Sequence, residues 1–345
     1  MFIRTRSLSA IALAALIAFP SLASAATLQP LERWRSYAGV SWDTPQNGQT
    51  PTRFSGSVNA PIAGIHFDAK GRAFVSTPRL VSAAAPATLS ILDTTVQSGP
   101  ARLTAFPSRE GNAVNTDPAQ NLRNVLGFYI DRQNGWLWAL DMGFVAGEAE
   151  SPVGLIVVDF ATGTARRVLD RHPALQIEPG VKVVAHGAEV WPGKPLLIGI
   201  NGIALSPDAD TLYWTVTTGT HAWAVPTALL RQAGSTDAQI AASIQDLGVV
   251  GGNTDGLVTD AKGNLYITDV TRNGIVRFDP KHRAMSLIAA SEDVYWPDTP
   301  AIRPDGDLIF TSSRLNDHFA GAVKPGEERY DLWRLPLGAS HNTDE

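Results

Sequence analysis

The 345-residue chain is 44% hydrophobic and 18% charged, has no cysteine and carries a formal net charge of −5. The hydrophobic share is that of a globular core, and the missing cysteine excludes disulfides, thiolate chemistry and cysteine-bound metal. A mildly acidic chain without a basic stripe excludes nucleic acid as a partner.

From the N-terminus, Arg4 and Arg6 precede an apolar run from Ile11 to Phe19 and the small triplet Ala23, Ser24, Ala25. That order predicts a secretory signal peptide, residues 1–25, cleaved after Ala25. The run falls short of the roughly 20 residues a bilayer span needs, and no later segment reaches that length. The expectation is a periplasmic or secreted monomer with no membrane span. Residues 26–345 are expected to form one domain, because no linker or charge run divides them.

The rest of the chain repeats itself. "AGIHFDAKGRAFVS" from Ala63, "LGFYIDRQNGWLWALD" from Leu126, "NGIALSPDADTLYWTV" from Asn201, "TDGLVTDAKGNLYITD" from Thr254 and "DTPAIRPDGDLIFTSS" from Asp298 share one pattern. Each has an alternating apolar strand, an Asp/Gly/Asn-rich reversal and a second strand rich in aromatic and β-branched residues, the signature of a β-hairpin. Strand-like runs between copies, such as 154–169 and 274–289, supply outer hairpins. Four-stranded units repeated in this way predict an all-β propeller. Five blades are visible, and the long gap between Leu126 and Asn201 predicts a degenerate sixth around "GVKVVAHGAEVWPGKPLLIG". Residues 225–245 read as a loop with a short helix inside one blade.

The repeat also nominates a site. The residue at the mouth of each innermost strand is Ala63, Leu126, Asn201, Asp255 and Asp298 in turn. Equivalent positions ring the channel of a propeller, so an amide and two carboxylates fall on one arc and apolar residues on the other, the composition of a small-molecule pocket. Asp255 and Asp298 are the candidate catalytic groups, with Asn201, Asn253, Trp296 and His66 as candidate ligand contacts. Each has a bland alternative: strand-entry caps for the three ring residues, a turn for Asn253, packing for Trp296 and a satisfied structural histidine for His66. Arg79 is expected to tie two blades together. No G-x-S-x-G, H-E-x-x-H or phosphate loop occurs.

The stretches "FVSTPR" (74–79), "PATL" (86–89), "GWLWALDMG" (135–143), "GIALSPDADTLYW" (202–214), "TDGLVTDAKGNLY" (254–266) and "YWPDTPAIRPDGDL" (295–308) resemble, in that order, the yellow and major royal jelly proteins and their dopachrome-tautomerase-related bacterial relatives. The resemblance implies a six-bladed propeller with a ligand site at one channel mouth, in members that range from binders of small aromatic amines to proposed tautomerases. One blade motif of those relatives is missing between Asp141 and Gly154. The chain is also similar, more distantly, to the gluconolactonases, a resemblance that implies a divalent metal held by a Glu, two Asn and an Asp. Asp255 and Asn201 match two of these positions and are the implied ligands, for calcium or zinc; Leu126 is apolar, and the glutamate expected near Ala63 is missing. Three classes stay open: an enzyme (tautomerase or lactonase), a non-catalytic binder of aromatic amines, and a scaffold.

Overall fold

The computed structural model describes residues 28–42, 54–114, 121–132, 136–141, 155–159, 164–169 and 171–338. The expected signal segment lies outside them. All five repeat copies fold as antiparallel hairpins: Ile65–Phe67 with Ala73–Ser76, Val125–Asp131 with Trp136–Asp141, Ile200–Leu205 with Thr211–Val216, Leu257–Thr259 with Leu265–Asp269, and Pro297–Ile302 with Asp307–Ser312. Three reversals turn on Gly71, Gly263 and Gly306 at φ of 76°, 83° and 90°, a region that costs glycine nothing. The third copy places Ala209 there at φ 58°.

Outer strands complete four of the blades. Leu89–Leu92 and Ala101–Ala105 extend the first, His221–Pro226 and Gln245–Val249 the Asn201 blade, and Gly274–Asp279 and Ala284–Ala290 the Asp255 blade. The Asp298 blade takes Tyr330–Pro336 and then the N-terminal strand Glu32–Tyr37. That strand continues into Val40–Trp42, which lies parallel to Ala101–Ala105 of the first blade. One short stretch therefore clasps the last blade to the first. Leu155–Asp159 and Thr164–Val168, which follow the Leu126 copy, pair as a separate two-stranded hairpin. Two short helices, Thr227–Arg231 and Asp237–Ala242, interrupt the Asn201 blade where a helical loop was expected; the second is opened by a Thr236/Gln239 capping box.

The five innermost strands lie side by side in chain order, and the last returns beside the first. Period-two alternation buries both faces of each blade. In the Asp255 blade, Leu257, Leu265 and Ile267 face the Asn201 blade, while Val258 and Tyr266 face the Asp298 blade. Similar apolar layers separate the last blade from the first and the first from the Leu126 hairpin, and a further cluster packs the 155–169 hairpin on the Asn201 blade. The ring closes on five inner strands, and the expected sixth blade is not found among the described residues. Its presumptive sequence instead makes a 3-10 turn, Pro173–Leu175, and a two-residue hairpin, Val184–Ala185 with Ala188–Glu189. Left-handed backbone at Gly180, His186, Gly187, Trp191 and Gly193 stops longer strands from forming there. Among the described residues no helix is long and apolar enough to cross a membrane.

Candidate functional site

The repeat builds one slot five times. Pairing between the first two strands slips at residues 125–128, 200–203 and 297–300, and such a bulge re-aims the side chain it contains. The glycine that follows the slot is required by close approach. A Cβ on Gly256 would stand 2.8 Å from Thr299 Cα, and one on Gly202 would stand 2.8 Å from Gly256 Cα. A hydroxyl at the end of the second strand then reaches the slot of the next blade. Ser76 Oγ donates to Leu126 O at 2.7 Å, Thr311 Oγ1 to Ala63 O, and Thr217 Oγ1 to Asp255 Oδ1 at 3.2 Å. Thr217 was not among the expected site residues, although the recurring "FVS", "TVT" and "FTS" endings signal it.

The structure brings Asn201, Asp255, Asp298 and Trp296 together. Asp255 accepts from Asn201 Nδ2 and Thr217 on one oxygen and from Trp296 Nε1, at 2.5 Å, on the other. Asp298 Oδ1 accepts from Thr299 Oγ1 at 3.0 Å, and its Oδ2 is buried with no partner. Both carboxyls are only 3% exposed. Burial pushes Asp255 up to about 6 against the pull of its three donors. Burial, followed by the charge of Asp255, holds Asp298 well above the ordinary carboxyl range. Two carboxyls this close and this dry do not both ionise unless something positive offsets them.

The segment once expected as a blade is a strap across this mouth. Glu178 anchors its start by accepting from the backbone N–H groups of Thr220 and His221 at 3.0 and 2.9 Å. Thr218 and Ile198 exchange hydrogen bonds at its end. Between these anchors, His186 stacks on Tyr295 with ring centroids 4.1 Å apart, and Val183, Ala185, Val190 and Leu196 pack on Ala63, Leu126 and Trp296.

The other three expected ligand contacts have structural partners in the fold. Asn253 has its amide committed: Oδ1 accepts from Val184 N and Thr271 Oγ1 at 3.0 and 3.1 Å, and Nδ2 donates to Thr217 O, so the residue pins the strap. Trp296 sits at φ 61° and is 1% exposed, its ring packed under the strap and only its N–H aimed at the site. His66 lies three residues beyond the slot, about 10 Å along an extended chain, edge-on to Phe128 and Tyr129. Burial there, followed by the nearby Arg132 charge, pushes it down to about 3. It is an interblade packing residue, neutral at ordinary pH. Arg79 ties the first two blades as expected, donating to Ala85 O, Asn112 O and Arg123 O.

A metal of the gluconolactonase type would have to be held by what this ring provides. Ala63 and Leu126 offer no side-chain oxygen, and among the described residues no three His, Asp or Glu side chains cluster closely enough to hold an ion by themselves. The polar arc does fit one: two carboxyls and an amide are hard oxygen donors, one carboxyl oxygen is buried and unpartnered, and among the described residues no cationic side chain offsets the pair. An all-oxygen set suits calcium better than zinc, which favours nitrogen and sulfur ligands.

A closed ring of antiparallel sheets with its innermost strands side by side is a β-propeller. The chain belongs to the SMP-30/Gluconolactonase/LRE-like family, whose model matches residues 59–314. It is similar to the solved structure of a gluconolactonase from Xanthomonas campestris, at 18% identity over 80% of this chain and 72% of that one, with a TM-score of 0.44. It is likewise similar to a luciferin-regenerating enzyme, at 16% identity over 82% and 80% of the two chains (TM-score 0.43). A calcium-binding regucalcin from Agrobacterium tumefaciens matches at 18% identity over 79% and 90% (TM-score 0.39). No curated protein sequence matches the chain.

Proposed function

We propose that the chain is a divalent-cation-dependent lactone hydrolase working at the polar arc. In this reading Asn201, through its amide oxygen, and the carboxylates of Asp255 and Asp298 hold a calcium-type ion, with Asp298 replacing the glutamate that Ala63 lacks. The observation that carries the proposal is Asp298 Oδ2, a buried oxygen without a partner beside a second buried carboxyl. Such a group is costly unless it keeps a proton or meets a cation. When bound, the ion supplies Lewis acidity toward the lactone carbonyl and a water of lowered pKa.

The residues of the chain do the rest. Trp296 Nε1–H and Thr217 Oγ1–H fix the rotamer of Asp255. Burial and the charge of Asp255 raise Asp298 well above the ordinary carboxyl range, so a cation held there would favour its ionised form. The strap keeps bulk water from the carbonyl. The tautomerase reading attached to the yellow-type resemblance rests on sequence motifs alone, whereas the lactonase reading has the family match beside it.

The test is lactone hydrolysis followed by pH-stat titration. Turnover should disappear in EDTA, return with calcium, and fall at least about tenfold in Asp298→Asn, the loss of one charge-assisted contact. Turnover indifferent to both treatments would overturn the proposal. Keto–enol exchange without lactone turnover would restore the tautomerase reading.

A further inference from the structure

The covering of the site carries an inference about its substrate, one that rests on the lactonase reading. Most polar groups at the mouth are committed. The Asn201 amide N–H and Thr217 hydroxyl serve Asp255, the Trp296 N–H serves it too, and the Asn253 amide holds the strap and the backbone at Thr217; Asp298 Oδ2, Thr254 Oγ1 and His186 Nε2 are buried without a partner. The faces that strap and ring turn toward each other are apolar: Val183, Ala185, Val190 and Leu196 from the strap, and Ala63 and Leu126 from the ring. A sugar lactone carries several hydroxyls around its ring. Buried against these six side chains, each hydroxyl would lose its water and find no partner. An alkyl or aryl substituent would replace the contacts that the strap now makes with the ring, removing apolar surface from water on both sides. We infer that the substrate is a lactone bearing an apolar alkyl or aryl body, and that the strap, residues 181–198, is the wall that selects it.

The strap is held in a way that suits this task. Its anchors are hydrogen bonds at its two ends and at Val184 N, and its own sheet is a single two-residue hairpin. Its apolar side chains can therefore part from Trp296 and Leu126 without breaking a blade.

The experiment uses the mature protein loaded with calcium and compares γ-nonanolactone with glucono-1,5-lactone. The alkyl lactone should be preferred in kcat/KM by at least about a hundredfold, the equivalent of two unpaired hydroxyls in the competitor. Val190→Asn should lower kcat/KM for the alkyl lactone about tenfold while calcium binding stays that of the parent. A parallel readout is quenching of tryptophan fluorescence by γ-nonanolactam, which cannot be hydrolysed by the same route. Preference for the sugar lactone would overturn the inference and leave the lactonase reading intact. Lactam binding without turnover of either lactone would keep the apolar wall and overturn lactone hydrolysis. Neither binding nor turnover would overturn both.

Discussion

The two arcs of the ring are built alike and equipped differently. On both, a bulged strand mouth presents one side chain, and on both a second-strand hydroxyl from the preceding blade fixes the slot. Ser76 and Thr311 meet the backbone oxygens of Leu126 and Ala63, whereas Thr217 meets the side chain of Asp255. The backbone machinery is thus indifferent to what the slot contains. The apolar arc costs nothing to bury, while the polar arc buries two carboxyls whose pKa values burial raises, Asp298 further through the charge of Asp255. The difference teaches that the fold tolerates Asp255 and Asp298 and gains nothing from them as ions, which is the ground for the proposed cation site.

The largest expected effect that separates the arcs is functional. Asp255→Asn keeps the size and an acceptor but removes the charge, and should weaken cation binding and turnover by at least about tenfold, read by calcium titration and initial rates. The next effect is on stability against pH. Asp255 moves from an ordinary value of 3.8 to about 6 on folding, so it favours the folded state only while protonated. That contribution is complete below the unfolded value and is lost as pH rises through about 6, a change on the order of 3 kcal/mol. The melting temperature of EDTA-treated protein should fall between pH 4 and 7, and added calcium should reverse the fall at the upper end. A profile that rises over that window would mean the pair is already compensated. Thr217→Val should cost about 1 kcal/mol of stability and less than tenfold in turnover, the weight of one hydroxyl hydrogen bond. Asp68→Asn, at a hairpin turn where the carboxylate accepts from Lys70 and Arg72 N–H groups, should leave turnover unchanged. Asp260 is no such control: it is 1% exposed and accepts from Lys262 N, Asn264 N, Asn264 Nδ2 and the Tyr266 hydroxyl.

The hairpins and the polar arc were legible in the sequence because both are local. Turn residues, period-two alternation and one slot per repeat all lie within about 16 residues of chain. Four features were not. Pairing of Glu32–Tyr37 with Tyr330–Pro336 joins opposite ends of the chain, and nothing local marks it. The strap alternates like a strand in "VKVVAHGAEV", and only its left-handed positions, two of them at His186 and Trp191, separate it from a blade. Trp296 and Asn253 carry the residue types of ligand contacts, but their partners, Asp255 and Val184, come from other segments. His66 alternates correctly for a strand, and burial against Phe128 and Tyr129 of the next blade decides its role.

The claim that the polar arc is a cation site is tested most directly by calorimetric titration of calcium into EDTA-stripped protein near pH 6.5, in two buffers of different ionisation enthalpy. The result expected is one ion per chain, with proton release because burial raises both carboxyls, and at least about tenfold weaker binding in Asp298→Asn. Absence of binding by the parent protein, or equal binding by parent and variant, would contradict it.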